Sequence, residues 1–155
     1  MSVDRDQLLS CLRIRRWADE LVEQKFDTLE ALLEASERAA ADLSEAEVDE
    51  ALGAHPRIGE SHEGDGAEAR FSAAEQSASQ SPDEVLADRL EAGNRAYEER
   101  FGRVFLIRAA GRTREEILAE LERRLANDPL TELNETSEQL RQIAALRLKA
   151  TWENA

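Results

Sequence analysis

The sequence is poor in cysteine, aromatic residues and long apolar runs, and each shortage excludes a class of structure. A single cysteine, Cys11, cannot form an intramolecular disulfide, which fits a reducing cytoplasm. Aromatic residues make up 5% of the chain, so a core must consist mainly of Leu, Ala, Ile and Val. No stretch approaches the roughly 20 apolar residues of a transmembrane helix. The N-terminal stretch "MSVDRDQLLSCLRIRR" also lacks the apolar run of a signal peptide. We therefore expect a cytoplasmic protein without a membrane partner.

Positive charge is the scarcer sign. Lys and Arg number 20 against 34 Asp and Glu, which gives a formal net charge of −14 at pH 7. Such a surface repels phosphate backbones, so we expect no nucleic-acid partner. An anionic ligand would have to be held by local arginines. The length of 155 residues suits one compact domain over 1–155, and a charged fraction of 35% favours helices with solvated outer faces.

Three capping boxes predict where helices begin. They are Ser44–Glu47, Ser81–Glu84 and Thr113–Glu116, in each of which Glu follows a Ser or Thr at the third position. The first box should open a helix that ends at about Gly53, and the second a helix that ends at about Arg100. The third should open a helix with a stripe of Ile and Leu.

Apolar residues at helical spacing predict the remaining elements. They indicate helices within about 4–25 and 28–42, and a last long helix after Pro129. In the stretch "RVFLIRAAGR", 103–112, a short β-branched and apolar run is ended by Gly111, which is typical of a buried extended segment or a single short strand. One strand cannot form a sheet. We therefore predict an all-α, compact single-domain helical bundle with one short extended segment near 103–110.

One of only two histidines lies in the stretch "ALGAHPRIGE", 51–60. A residue that precedes proline is driven out of the α region, so His55 should lie at or just beyond a helix end, with Pro56 restricting its backbone. Gly59 would let the chain turn away without a side chain. His55 is either a cap that interacts with the helix dipole or an acid/base group that titrates near neutral pH.

The motif "SAAEQ" supplies a second candidate set. On a helix Ser72, Glu75 and Gln76 share one face, which is either a solvated surface or a polar wall that binds a ligand. Nucleophilic catalysis has little support, because no base accompanies Cys11 or Ser72 in sequence, and no nucleophile elbow or P-loop is present.

A metal site has weak support. The polar stretch 60–69, "ESHEGDGAEA", is either a plain surface loop or a lid, and it contains several oxygen and nitrogen donors. No His-x-x-x-His or Cys-x-x-Cys spacing accompanies them, so we expect no metal. The possible ligands are His55, Glu60, His62, Glu63 and Asp65.

Two arginines stand in apolar surroundings. Arg112 follows the glycine that ends the extended run, and Arg147 interrupts an apolar stripe of the last helix. An arginine in such a place usually pairs with a carboxylate. The carboxylate could belong to the protein or to a ligand.

Five stretches together resemble one family. They are "RRWADEL" (15–21), "HPRIGE" (55–60), "SAAEQ" (72–76), "LEAGNRAYEERFGRVFLIRAAGRTREEIL" (90–118) and "LRLKA" (146–150). Each piece is weak alone, but "HPRIG" followed by S-x-x-E-Q and N-x-x-Y-x-x-R-F-G is a specific combination. The sequence resembles the OHCU decarboxylases, which act on 2-oxo-4-hydroxy-4-carboxy-5-ureidoimidazoline (OHCU) in urate and purine catabolism.

The resemblance implies an all-α homodimer that decarboxylates OHCU to (S)-allantoin without a metal or organic cofactor. His55 would be the catalytic acid/base, and Glu75 would pair with it or with the ureido group. Arg147 would neutralise the substrate carboxylate, with Arg112 as a competitor for this role. The residues expected to bind substrate are Pro56, Ser72, Gln76, Val104, Phe105, Leu106 and Ile107, the last four through their backbone groups.

Two other classes of function stay open. A non-catalytic helical module could bind a basic partner through its acidic surface, and "HPRIG" would then be only a cap and a turn. A hydrolase of a related ureide could use the same pocket to activate water. Formation of carbon dioxide would separate a decarboxylase from such a hydrolase.

Overall fold

The computed structural model describes residues 3–53 and 84–154, and in these ranges all regular structure is helical, with no strand. This confirms the predicted all-α class. No helix here is long and apolar enough to cross a membrane. The helices of the described ranges are α1 (Arg5–Cys11), α2 (Arg15–Val22), α3 (Leu29–Ala39), α4 (Glu45–Leu52), α5 (Glu84–Phe101), α6 (Arg114–Arg124) and α7 (Pro129–Glu153).

These residues divide into two compact units. The first contains residues 3–53 and 137–154, and the second contains residues 84–136. Helix α7 contributes its start, 129–136, to the second unit and its remainder to the first. The expectation of one domain over 1–155 stays a prediction.

The predicted segment 4–25 consists of two helices rather than one. Between α1 and α2, Leu12 and Ile14 have extended backbones, with φ/ψ of −151°/112° and −129°/111°. Both side chains are buried, at 1% and 0% exposed. Both residues at the interruption therefore contribute apolar side chains to the core of the first unit. No Gly or Pro marks this break in the sequence.

Capping boxes open the helices as predicted where they are described. The Ser44 hydroxyl accepts from the backbone N–H of Glu47 and the Glu47 carboxylate accepts from that of Ser44, and α4 ends with Gly53 as its C-cap. Thr113 and Glu116 form the same reciprocal pair at α6. The Ser81–Glu84 box lies mostly outside the described residues.

The core of the second unit is made by α5, α6 and the run between them. Gly93 allows close packing of the two helices, because a Cβ at this position would lie 2.6 Å from Leu121 Cδ2. Tyr97 contacts Phe105 edge-on, with ring centroids 5.2 Å apart. The buried residues of this core are Leu86, Leu90, Tyr97, Phe105, Ile107, Ala109, Ile117, Leu118 and Leu121.

The predicted extended segment is confirmed. Residues 104–109 form neither helix, turn nor bend, and they lie between two glycines with left-handed backbones, Gly102 (φ 72°) and Gly111 (φ 80°). The N–H of Gly102 donates to the carbonyl of Glu98 at 2.9 Å and so ends α5. A side chain at either glycine would be strained, since only glycine adopts this conformation freely.

Helix α7 begins at Pro129, where the missing N–H costs no helical hydrogen bond. The apolar residues at helical spacing along this helix are Leu133, Leu140, Ile143, Leu146 and Leu148. Leu140, Ile143 and Leu148 are buried, Leu133 is half-buried and Leu146 is 41% exposed. Leu146 lies on the side of α7 that faces away from the core of the first unit.

Candidate functional site

Half of the predicted site lies outside the described residues. This holds for His55, Pro56, Ser72, Glu75 and Gln76, for the stretch 60–69 and for all the possible metal ligands. The described candidates are Arg147, in the first unit, and Arg112 with the segment 104–107, in the second.

The segment 104–107 combines buried side chains with unpaired backbone groups. Phe105, Leu106 and Ile107 are 2%, 5% and 3% exposed. The carbonyl of Leu106 accepts a hydrogen bond from Arg124 at 2.7 Å. The backbone groups of Val104, Phe105 and Ile107 form no hydrogen bond with any residue of the described ranges. Since buried backbone groups are almost always paired, these groups are suited to bind the planar amide edges of a ligand.

A buried polar cluster supports this segment, and sequence reasoning missed it. It consists of Tyr97, Arg124, Glu132 and Thr136, and we call it the Arg124 cluster. Arg124 Nε lies 3.0 Å from both carboxylate oxygens of Glu132, and the two side chains are 2% and 3% exposed. Arg124 also donates to Thr136 Oγ1 at 3.2 Å. A signal existed in the sequence, because residues 117, 121 and 124 fall on one helical face.

Two further groups hold the Glu132 carboxylate in place. The Tyr97 hydroxyl donates to Glu132 Oε2, and Asn127 Nδ2 donates to Oε1 at 3.1 Å. Burial, reinforced by the bond to Glu132, raises the pKa of Tyr97 well above its usual value. Tyr97 thus remains a neutral phenol, and its O–H group donates a hydrogen bond to the Glu132 carboxylate. All charge in the cluster is then carried by the Arg124–Glu132 pair.

Arg112 folds back onto its own segment. Its Nε donates to the carbonyl of Arg108 at 2.9 Å, and its guanidinium lies 4.0 Å from Glu120. The side chain is 19% exposed. Arg112 therefore stabilises the turn around Gly111 and is less buried than the other described candidate.

Arg147 is 3% exposed, on the face of α7 that belongs to the first unit. It donates to the carbonyl of Ser10 at 3.3 Å, in the last turn of α1, where helices leave carbonyls without partners. Its charge also acts on Cys11, whose Sγ lies 3.6 Å from Thr151 Oγ1. Burial nonetheless raises the pKa of the Cys11 thiol to about 11. At neutral pH Cys11 is a thiol and not a nucleophile.

Metal-ligating side chains do not converge in the part of the chain that the structure describes. There, no group of at least three His, Cys, Asp or Glu side chains is arranged to hold an ion. The expectation of a metal-free site stays a prediction, since its possible ligands lie elsewhere.

Comparisons with known proteins agree on one family. The family model of OHCU decarboxylase matches residues 4–149. A crystal structure of OHCU decarboxylase in the presence of (S)-allantoin superposes with a TM-score of 0.82 at 24% identity, over 96% of this chain and 98% of that one. A structure of (S)-allantoin synthase superposes with a TM-score of 0.70 at 22% identity, over 94% of this chain but 48% of that one. No curated protein sequence is significantly similar.

Proposed function

We propose that this chain, which belongs to the OHCU decarboxylase family, catalyses the decarboxylation of OHCU to (S)-allantoin in urate catabolism. The observation that carries the proposal is the family match over residues 4–149, nearly the whole chain. The fold supports it, because a solved OHCU decarboxylase is covered over 98% of its length. The backbone groups of Val104, Phe105 and Ile107, which have no partner among the described residues, supply a separate chemical argument.

The reaction needs no external electron acceptor. The bond from ring carbon 4 to the carboxylate breaks and releases carbon dioxide, and its electron pair forms a double bond to carbon 5. The π electrons of the former C=N bond move to nitrogen, which takes up a proton. A proton then adds to one face of carbon 5 while the 4-hydroxyl loses its proton to become a carbonyl. The protein has to align the breaking bond with the π system and select the face. We therefore propose catalysis without a cofactor.

The family motifs assign the proton transfers. His55 acts as acid/base toward the 4-hydroxyl and carbon 5, on a backbone restricted by Pro56. Glu75 pairs with the imidazole or with the ureido group, and a carboxylate beside an imidazole favours its protonated form. Ser72 and Gln76 hydrogen-bond the ring and ureido groups.

The segment 104–107 provides the backbone contacts. The ring and ureido groups of OHCU have planar edges that carry both N–H donors and carbonyl acceptors. The backbone of Val104, Phe105 and Ile107 offers the complementary groups, which have no partner among the residues described. Peptide groups held by a buried apolar segment are rigid, so they lose little entropy when a ligand binds.

Arg147 is the better candidate for the substrate carboxylate. The family motif "LRL" contains it, and at 3% exposed it lies where a charge interaction is weakly screened. Arg112 is closer to solvent, with its side chain 19% exposed. Arg147→Lys should then lower kcat/KM far more than Arg112→Lys, while both variants keep a positive charge.

We further propose that the protein is a cytoplasmic homodimer. The free, buried thiol of Cys11 fits a reducing compartment. The dimer follows from the family alone. Sedimentation equilibrium at several protein concentrations would test it, and a single species with the mass of one chain would refute it.

The decisive experiment follows the circular dichroism of (S)-allantoin. OHCU is generated in place from urate by the enzymes that oxidise urate and hydrolyse its first product, and the wild type, His55→Ala and His62→Ala are compared. We expect a fast signal with wild type and His62→Ala, and its loss with His55→Ala. His62 is the matched control, since it is the only other histidine.

Each other outcome has a defined meaning. A folded wild type that does not accelerate the spontaneous racemic decay refutes the decarboxylase and favours the acidic binding module. Release of ammonia or a carbamate without carbon dioxide favours the ureide hydrolase. Activity that survives in His55→Ala keeps the reaction but transfers the acid/base role to Glu75.

A further inference from the structure

Arg124 joins the Glu132 carboxylate to the extended segment. Its NH1 group donates to the carbonyl of Leu106 at 2.7 Å, and its guanidinium carbon lies 4.6 Å from the centroid of the Phe105 ring. One planar group therefore fixes two consecutive residues of the segment, by a hydrogen bond and by stacking. In the described part of the second unit, no other side chain donates to the backbone of 104–107.

The hydrogen bond from Arg124 to the Leu106 carbonyl determines which edge of the segment can contact a ligand. In an extended chain, successive residues direct their N–H and C=O groups to opposite edges. The Leu106 carbonyl faces Arg124, so the backbone groups of Phe105 and Ile107 face the other edge. These are the groups without partners among the described residues.

We propose that Arg124 is a positioning residue for the decarboxylation, since it holds Phe105 and Ile107 with their backbone groups toward the substrate. The inference rests on the proposed function and extends it to a residue that the family motifs and the proposed mechanism leave without a role. Arg124 itself does not touch the reacting atoms. It acts through the Leu106 carbonyl and the Phe105 ring, and Glu132 in turn fixes its orientation.

Lysine cannot replace this arrangement. Its ammonium could stay paired with Glu132, but it has no planar face to stack on Phe105 and no second arm for the Leu106 carbonyl. Arg124→Lys therefore keeps the charge of the buried pair while it releases the segment. Arg123→Lys is a matched control, because Arg123 is the preceding residue and also pairs with a glutamate of α7, Glu135, but at the surface.

The test compares wild type, Arg124→Lys and Arg123→Lys in the allantoin assay, well below their melting temperatures. We expect Arg124→Lys to lower kcat/KM by about 10- to 100-fold with a raised KM, because a displacement of about 1 Å at a binding group has costs of this order. A role limited to stability would lower kcat through loss of folded enzyme and leave KM unchanged. Arg123→Lys should match wild type within about two-fold.

Amide hydrogen exchange supplies a readout besides activity. With (S)-allantoin added, exchange in peptides that cover 103–110 should slow in wild type and Arg123→Lys but not in Arg124→Lys, because the amides of Phe105 and Ile107 gain partners only from a ligand. If this variant does not fold, Glu132→Gln replaces it, because an amide keeps the shape but weakens the hold on Arg124. A folded variant with wild-type kcat/KM and KM overturns the positioning role alone. An inactive wild type refutes the proposed function itself, and the positioning role with it.

Discussion

Two arginine–glutamate pairs connect α6 to α7, and they allow one strong test of how burial sets the value of an ion pair. The arginines, Arg123 and Arg124, are consecutive, and their partners Glu135 and Glu132 are both on α7. The Arg123–Glu135 side chains are 51% and 29% exposed, whereas those of Arg124–Glu132 are 2% and 3% exposed. Both pairs join an arginine of α6 to a glutamate of α7, so the main difference between them is the burial of the two side chains.

We predict that Glu132→Ala lowers the free energy of unfolding by about 3–5 kcal/mol, because it leaves the Arg124 guanidinium buried and unpaired. The Tyr97 hydroxyl would lose its acceptor as well, which places the loss toward the upper end. Glu135→Ala should cost about 0–1 kcal/mol, since water can solvate Arg123 at once.

Urea unfolding followed by circular dichroism measures both losses, provided that the slope with urea is unchanged. The double variant Arg124→Met/Glu132→Leu is the control for charge. It removes both ions and should be more stable than Glu132→Ala, because no buried charge is left without a partner. Equal losses for Glu132→Ala and Glu135→Ala would refute the reasoning, and would mean that water reaches Arg124.

Three further predictions concern other parts of the chain. Gly93→Ala should lower the free energy of unfolding by about 1–2 kcal/mol in urea, because the new methyl group overlaps Leu121 by more than helix propensity recovers. Cys11 should not react with a thiol reagent at pH 8 until the protein unfolds, since burial raises its pKa to about 11. The hydrogen bond from Arg16 lowers the pKa of Glu47 from its usual value. The stability that this carboxylate contributes is present above the unfolded pKa and lost as the pH falls through the folded pKa, so Glu47→Gln should destabilise at pH 7 and progressively less as the pH falls through that folded pKa.

Each of these has an internal control. Gly53→Ala should be neutral or stabilising, because among the described residues a Cβ there would lie no closer than 3.4 Å, from the Glu50 carbonyl, and the backbone is already helical. Rapid labelling of native Cys11 would show that the first unit opens locally. A destabilisation by Glu47→Gln that does not diminish as the pH falls would show that the capping bond, not the charge, carries the effect.

Helix starts could be predicted from the sequence because their cause is local. Ser44 and Thr113 cap the N–H group three residues later, and the whole device fits within four consecutive residues. The break between α1 and α2 has no such local cause. Leu12 and Ile14 carry the same apolar side chains in a helix or out of one, and the extended backbone is stabilised by the core that they enter.

The candidate site also contains one part that has a local cause in the sequence and another part that depends on the fold. The segment 104–107 could be predicted, because a dense apolar run ended by glycine has few other uses. Its polar support could be predicted only in part, since helical position marks Arg124 as buried but Glu132 follows it across a turn and only the fold brings the two together. The catalytic assignment of His55 came from the family motif, because a histidine before proline is also a plausible helix cap.

The phase of a residue on its helix, and not the charge of its neighbours, decides whether an arginine is buried. Arg147 stands among apolar neighbours in the sequence, whereas Arg124 ends the charged run "ELERR". Both are nevertheless buried, at 3% and 1% exposed. Arg124 follows Ile117 by seven residues and so lies two turns further along the same face. An arginine on the buried face must have an acceptor elsewhere in the fold. Burying its charge without a partner would cost more free energy than the burial of the helix's apolar side chains provides. Position on the helical face would therefore have identified Arg124 as half of a pair before its partner was known.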